Sequence, residues 1–217
     1  SGYIGSEEIW DASEKALAQA CVHAGKEYAV NPGDGAFYGP KLDIHIKDSL
    51  GRVWQCGTVQ LDMNLPERFE CKYVDADGTK KTPIMLHRVV YGSVERFIGI
   101  LIEHFGGHFP LWMAPHQIAV IPVHHEKHLA YAQKVVEALQ ANGLRVDLDA
   151  RNEKLGYRVR EAQIKKVPYQ IVVGDGEQEQ GTVTIRKSGS RDSQTLSLDE
   201  AIEKFTTEVK EKCIAVK

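Results

Sequence analysis

The feature that most constrains this chain is a change of hydrophobic period on either side of Gly106-Gly107-His108-Phe109-Pro110-Leu111-Trp112-Met113-Ala114-Pro115. Before that segment, Leu42-Asp43-Ile44-His45-Ile46-Lys47 alternates apolar and polar residues strictly, as a half-buried strand does. Asp48-Ser49-Leu50-Gly51 has the composition of a turn, and 52–61 reads as a returning strand, so the pair is expected to be an antiparallel hairpin. After the segment the pattern is different. Strands are expected at 117–123, 144–148, 169–173 and 182–186, with helices near 125–141, 156–166 and 198–213. Strands and helices alternating over short connections predict a mainly parallel sheet covered by helices. Gly and Pro bracket the apolar middle of 106–115, as in a linker pinned against a domain surface. Two domains follow, 1–115 and 116–217.

The rest of the first domain is legible from caps and turns. Ser6 suits a helix N-cap, Glu7 and Glu8 suit the positive end of the helix dipole, and Gly25 is a natural stop. Ile9, Ala16, Leu17, Ala20 and Cys21 keep close to helical spacing between them. A short strand is expected to end at Asp77-Gly78. Ile84-Met85-Leu86 then leads to Gly92-Ser93 and an apolar helix over 94–104, which Gly106-Gly107 should end before His108.

Composition excludes several classes of protein. With 42% apolar residues and a net charge of -3, the chain is too hydrophobic and too weakly charged to be disordered. No apolar run approaches the ~20 residues of a membrane span. The first twenty residues are acidic and amphipathic, unlike a signal peptide. Cys21, Cys56, Cys71 and Cys213 form no C-x-x-C pair, which favours reduced thiols in the cytoplasm over a disulfide framework. The near-neutral total argues against a protein that coats nucleic acid, but it averages two unlike halves. Residues 1–115 hold 11 basic and 15 acidic groups, whereas residues 116–217 hold 16 and 15. Within 151–170, Arg151, Lys154, Arg158, Arg160, Lys165 and Lys166 face only Glu153 and Glu161. That run reads either as a solvated helix face or as a local footprint for RNA phosphate.

Several segments could carry chemistry. Gly33-Asp34-Gly35-Ala36-Phe37-Tyr38-Gly39-Pro40-Lys41 matches neither common phosphate-loop pattern and opens a strand, so a tight turn delivering Tyr38 and Lys41 to a sheet rim is the better reading. In the second hairpin strand, the two-residue period puts Gln55, Gly57 and Val59 on one face and Cys56, Thr58 and Gln60 on the other. Polar groups thus interrupt both faces, which implies a solvated sheet face or a ligand site. His87 lies on the strand-like lead-in to the third helix, Ser93 suits its N-cap, and Arg96 sits one turn in. His124-His125-x-x-His128 is expected to be a solvated polar end of a helix.

Taken in order, G-A-F-Y-G-P-K, W-Q-C-G-T-V-Q-L-D and H-R-x-x-x-G-S-x-E-R-F-I-G-I-L-I-E resemble threonyl-tRNA synthetases. Gly92-Ser93-Val94-Glu95-Arg96 resembles motif 3 of class II synthetases. The second domain resembles their anticodon-binding domain through Arg151-Asn152-Glu153-Lys154-Leu155-Gly156 and Val167-Pro168-Tyr169. The resemblance implies an α/β protein: a partial class II catalytic domain built on an antiparallel sheet, then a mainly parallel α/β anticodon-binding domain.

By that resemblance the activity is a threonine–tRNA ligase, which joins threonine to ATP with Mg2+ and passes the threonyl group to tRNA(Thr). Arg96 would stack on adenine and help hold ATP, with hydrogen bonds from Gln55, Thr58 and Ser93. Tyr38 and Gln60 would line the amino-acid pocket, and Lys41 would offset charge developing between carboxylate and phosphate. His87 would be a ligand of a Zn2+ ion that reads the substrate hydroxyl. Asn152, Lys166, Glu177 and Arg186 would read the anticodon. The family's other two zinc ligands, motifs 1 and 2 and the editing domains have no counterpart here. The chain is therefore expected to be the C-terminal portion of a cytoplasmic homodimer with no membrane partner, and to bind zinc poorly and lack ligase activity alone. The competing expectation is a non-catalytic RNA-binding or regulatory relative that uses the anticodon-binding domain only.

Overall fold

The computed structural model describes residues 2–214. The chain divides into two compact units, Ser1–Glu103 and His104–Lys217.

The first unit opens with helix α1 (Glu7–His23), where the Ser6 side chain accepts from the Ile9 amide and Gly25 takes a left-handed conformation beyond the last turn. Strands β1 (Lys41–Lys47) and β2 (Val53–Asp62) form the expected antiparallel hairpin. Asp48 closes its turn by accepting from the amides of Leu50 and Arg52, the Arg52 guanidinium and the Trp54 indole. A short helix α2 (Asn64–Arg68) follows, then the two-residue strands β3 (Tyr73–Val74) and β4 (Lys80–Lys81) around the Asp77-Gly78 turn. Strand β5 (Met85–Val89) pairs antiparallel with β2 and gives the sheet order β1-β2-β5. Helix α3 (Val94–Phe105) closes the unit.

The hairpin departs from simple alternation at one place. Ile44 pairs with Gly57 but His45 pairs with Gln55, so Cys56 is an extra residue in β2. This β-bulge shifts the parity of β2. Gln55 therefore shares a face with Thr58, and the two opposed faces that the two-residue period assigns to them do not form.

The second unit has a five-stranded sheet of order β10-β9-β8-β6-β7. Strands β6 (Ile118–Pro122), β7 (Val146–Leu148) and β8 (Tyr169–Val173) are parallel; β9 (Thr182–Lys187) and β10 (Ser193–Ser197) are antiparallel, so the sheet is mixed. Helices α4 (Leu129–Ala141) and α7 (Leu198–Lys210) supply Val135, Leu139, Ala201 and Phe205 to a core that includes Ile118, Val120, Ile171, Val183 and Ile185. On the other face, Ala162 of α5 (Leu155–Ile164) packs with Ala119 and Ile121. The remaining helix, α6 (Asp175–Gln180), is capped by Gly174 and ends at the left-handed Gly181.

Burial alters two expectations, at one residue in each. His128 is 2% exposed and is no solvated helix end. Its Nδ1 accepts the His124 amide, which leaves Nε2 to donate to Asp175 Oδ1 at 3.0 Å. Arg158, one of the six cations in 151–170, is buried inside the unit, and Arg151 is paired with Asp149 and Glu161 at 2.6 Å each. The exposed cations of that stretch are Arg151, within its two carboxylate pairs, and Lys154, Arg160, Lys165 and Lys166.

Candidate active-site pocket and anticodon face

In the first unit, Lys41, Gln55, Thr58, Gln60 and His87 line one pocket of about 470 Å³ together with Asp34, Gly35, Ala36 and Val89. Strand register explains the convergence. Lys41 lies opposite Gln60, Asp43 opposite Thr58, and Gln60 opposite His87, so three strands deliver side chains to one face.

Asp43 organises this face, and the motifs did not single it out. Its Oδ1 accepts from Gln55 Nε2 at 2.7 Å and Thr58 Oγ1 at 2.9 Å, and its Oδ2 accepts from Lys41 Nζ at 2.5 Å. Burial pushes the Asp43 carboxyl up, but hydrogen bonds from Lys41, Thr58 and Gln55 outweigh it and leave it below the ordinary carboxylate range. The same contact raises Lys41 and keeps it cationic. A signal existed in the sequence: a carboxylate two residues along a strand from Lys41 must share its face.

Asp62 is the second unforeseen residue. It is 3% exposed, and its Oδ2 lies 2.9 Å from His87 Nε2, while its Oδ1 accepts the amides of Asn64 and Leu65 at the start of α2. Burial opposes its charge, and the Leu65 amide, His87 and the Asn64 amide hold it below the usual carboxylate range. Among the described residues, no group of three His, Cys, Asp or Glu side chains could hold a metal. Cys56 lies four residues from Gln60, the strand partner of His87. The residues present therefore do not make up a tetrahedral zinc site.

The other expected residues lie around this pocket. Tyr38 is half-buried in the turn before β1, packed edge-on against Phe37, and is not a lining residue. Its carbonyl accepts the Met63 amide, which ties that turn to the end of β2. Ser93 Oγ accepts the Arg96 amide and donates to Glu95 Oε2, so it caps α3. The Arg96 guanidinium lies 5.5 Å from the centre of the Trp54 ring and donates to the Gln55 carbonyl at 3.2 Å.

In the second unit, Asn152 is exposed in the loop between β7 and α5. Glu177 is the third residue of α6, where Oε2 accepts the Gly174 amide and Oε1 accepts Thr184 Oγ1 at 2.7 Å. Arg186 lies two residues from Thr184 on the same face of β9. Lys166 has a φ of 56° just past α5 and donates to the Gly106 carbonyl. Asn152 and Glu177 thus follow the C-terminal ends of β7 and β8, whereas Lys166 and Arg186 lie towards the N-terminal end of β8, with Arg186 opposite Gln170.

The family described as tRNA synthetase class II core domain (G, H, P, S and T) matches residues 6–105, and that described as anticodon binding domain matches residues 117–208. A threonine–tRNA ligase of Caldanaerobacter subterraneus subsp. tengcongensis is 54% identical over 211 residues, covering 97% of this chain and 33% of the relative. One from Clostridium botulinum is 52% identical over 209 residues, covering 96% and 33%. The chain thus spans about a third of the length of the curated relatives it matches. Among solved structures, the RNA binding domain of threonyl-tRNA synthetase from Cryptosporidium parvum Iowa II superposes with a TM-score of 0.86 at 38% identity, over 96% of this chain and 52% of that one. With class II core sequence ahead of an anticodon-binding domain, and with these relatives, the chain belongs to the threonyl-tRNA synthetase family.

Proposed function

We propose that this chain is the C-terminal portion of a threonine–tRNA ligase, with half of the activation site in the first unit and the anticodon reader in the second. The observation that carries the reading is the convergence of Lys41, Gln55, Thr58, Gln60 and His87 on one pocket. A module that only binds RNA has no need of those five side chains together.

In the first reaction a threonine carboxylate oxygen attacks the α-phosphorus of ATP, and the bond to pyrophosphate breaks. Lys41, held cationic by Asp43, would offset the negative charge shared between carboxylate and phosphate. Gln55 and Thr58 would hydrogen-bond ATP, with Ser93 contributing from the start of α3. Trp54 backs one side of the Arg96 guanidinium, and the adenine would stack on the other. Gln60 would line the threonine pocket, and Tyr38 would approach the threonine from the adjoining turn, outside the lining of the pocket. In the second reaction a terminal ribose hydroxyl of tRNA attacks the adenylate carbonyl carbon and AMP leaves.

None of these residue roles depends on zinc, because among the described residues Asp62 is the carboxylate beside His87 and no third ligand joins them. Mg2+ would enter with ATP as part of the substrate. For the second unit, Asn152, Glu177 and Arg186 would address the exposed edges of anticodon bases, and Lys166 would add positive charge. The resemblance also carries homodimer formation and a cytoplasmic location for the intact enzyme.

The test is threonine-dependent ATP–pyrophosphate exchange by the full-length gene product. Exchange that needs threonine, and is lost in Arg96→Ala, supports the reading. Tight binding of tRNA(Thr) with no exchange for any amino acid would favour the non-catalytic alternative.

A further inference from the structure

Arg158 heads the fully buried side chains ranked by size among the described residues, with 1% exposure. Its three guanidinium nitrogens each donate to a main-chain carbonyl: Nε to Glu153 at 3.1 Å, Nη1 to Asp149 at 2.9 Å and Nη2 to Val123 at 3.2 Å. Val123 follows β6, Asp149 follows β7, and Glu153 precedes α5. One side chain thus ties both ends of the 149–153 loop to the segment that follows β6. A buried cation is costly without partners, and here three main-chain carbonyls accept from it while the charge of the neighbouring Asp149 carboxylate opposes its own.

Asn152 lies between two of the clamped carbonyls. Arg151 also ties the loop, through the Asp149 carboxylate and Glu161. On the α5 side the restraint is thinner, because α5 begins with no side-chain cap at Lys154 and the Glu153 amide reaches back to the Arg151 carbonyl. A planar fork of donors can span several carbonyls at once, which a single ammonium cannot. The three carbonyls all belong to segments outside the helices and strands, so the clamp shapes the loop layer and not the core.

We infer that Arg158 is a positioning residue for anticodon reading. By holding both ends of the 149–153 loop it fixes the direction in which Asn152 is presented. This rests on the reading of Asn152 as an anticodon contact. Arg158 itself, enclosed by the loop, touches no RNA.

The experiment uses the full-length protein with Asn152→Ala, Arg158→Met, the milder Arg158→Gln, and the double variant Asn152→Ala/Arg158→Gln. Aminoacylation kcat/KM is measured for a tRNA(Thr) transcript and for one with a changed anticodon, alongside pyrophosphate exchange without tRNA. Arg158→Met is expected to cut the preference for the correct anticodon about tenfold, as the loss of one base contact would. Exchange stays at the wild-type level. Asn152→Ala is expected to cut the preference similarly, and the double variant to add little, because the two residues act as one unit. If Arg158→Met does not fold, Arg158→Gln decides. Preference kept in the Arg158 variants but lost in Asn152→Ala overturns the inference and leaves the reading of Asn152 intact. Equal loss for both transcripts also overturns it, since that is a merely structural effect. Unchanged preference in Asn152→Ala removes the reading of Asn152 itself.

Discussion

Gln55 Nε2 donates to Thr58 Oγ1 at 3.1 Å, although the two residues are three apart along one strand. In a regular strand they would point to opposite faces. The extra residue at Cys56 turns them the same way, and Asp43 accepts a hydrogen bond from each. The bulge is thus what assembles this side of the pocket, with Lys41 completing the set around one carboxylate.

Replacing Asp43 tests that arrangement directly. Asp43→Asn removes the charge that holds Lys41 and replaces one acceptor oxygen with a donor. Hydrogen bonds to a charged group contribute about 1.5–3 kcal/mol. Threonine-dependent pyrophosphate exchange in the full-length protein is expected to fall roughly 10- to 100-fold. A variant that exchanges at the wild-type rate would show that Lys41 needs no fixed partner.

Glycines allow a sharper test of the fold. A Cβ on Gly92, which has a φ of 68°, would lie 2.5 Å from the Cys56 carbonyl oxygen, so Gly92→Ala meets both backbone strain and a main-chain clash. It should cost about 2 kcal/mol or more. A Cβ on Gly156, in the first turn of α5, meets nothing within 4 Å, and alanine there should be neutral or stabilise by up to about 1 kcal/mol. Urea midpoints of the two variants give the comparison, and similar losses would contradict it.

What could be read from the sequence depended on whether local rules decided the outcome. The Ser6 cap, the 48–51 turn and the strands at 169–173 and 182–187 follow from residue type and period. Helix α6 escaped because Asp175–Gln180 has no apolar repeat and lies between Gly174 and Gly181, a composition that reads as loop. Strand β10 escaped because Ser193-Gln194-Thr195-Leu196-Ser197 has one apolar residue and depends on its pairing with β9. In the sites the failures were of partnership. His128 and Arg158 are polar by type but are buried against groups 47 and 35 residues away. Counting charges along 151–170 could not separate Arg158 inside from Arg160 outside.

The hairpin turn predicts a pH dependence. Burial opposes the Asp48 charge, but the Trp54 indole, the Arg52 side chain and two backbone amides lower its carboxyl to about 2, from an ordinary 3.8. Because the folded value is depressed, its contribution is fully present above pH 4 and is lost as pH falls towards 2. Asp48→Asn lacks that contribution. The stability gap between wild type and Asp48→Asn, read from urea midpoints, should therefore be constant near neutrality and narrow between about pH 4 and pH 2. A gap that does not change over that range would mean that the carboxylate charge is not what closes the turn.

Arg186 addresses base reading. It lies opposite Gln170 and two residues from Thr184, whose hydroxyl holds Glu177. Arg186→Ala in the full-length protein is expected to weaken binding of tRNA(Thr) by about 1–3 kcal/mol, and binding of a tRNA with an unrelated anticodon much less. Filter binding with both RNAs checks it. Equal losses would reduce Arg186 to a phosphate contact.

The exposed cations of 151–170 make a separate prediction about salt. Each phosphate neutralised by Lys or Arg releases counterions, so losing one such contact lowers the slope of log K against log salt by about 0.7–0.9. Arg160 is exposed on α5, and Arg160→Ala should flatten the slope for tRNA by about that amount. Arg151 is already neutralised by Asp149 and Glu161, and its replacement releases no counterion from RNA. Arg151→Ala should therefore keep the wild-type slope, with a modest loss of affinity at every salt concentration from the two carboxylates it uncovers. Equal slope changes in the two variants would show that the ion pairs open when RNA binds, and that all the basic groups outside the core act on phosphate.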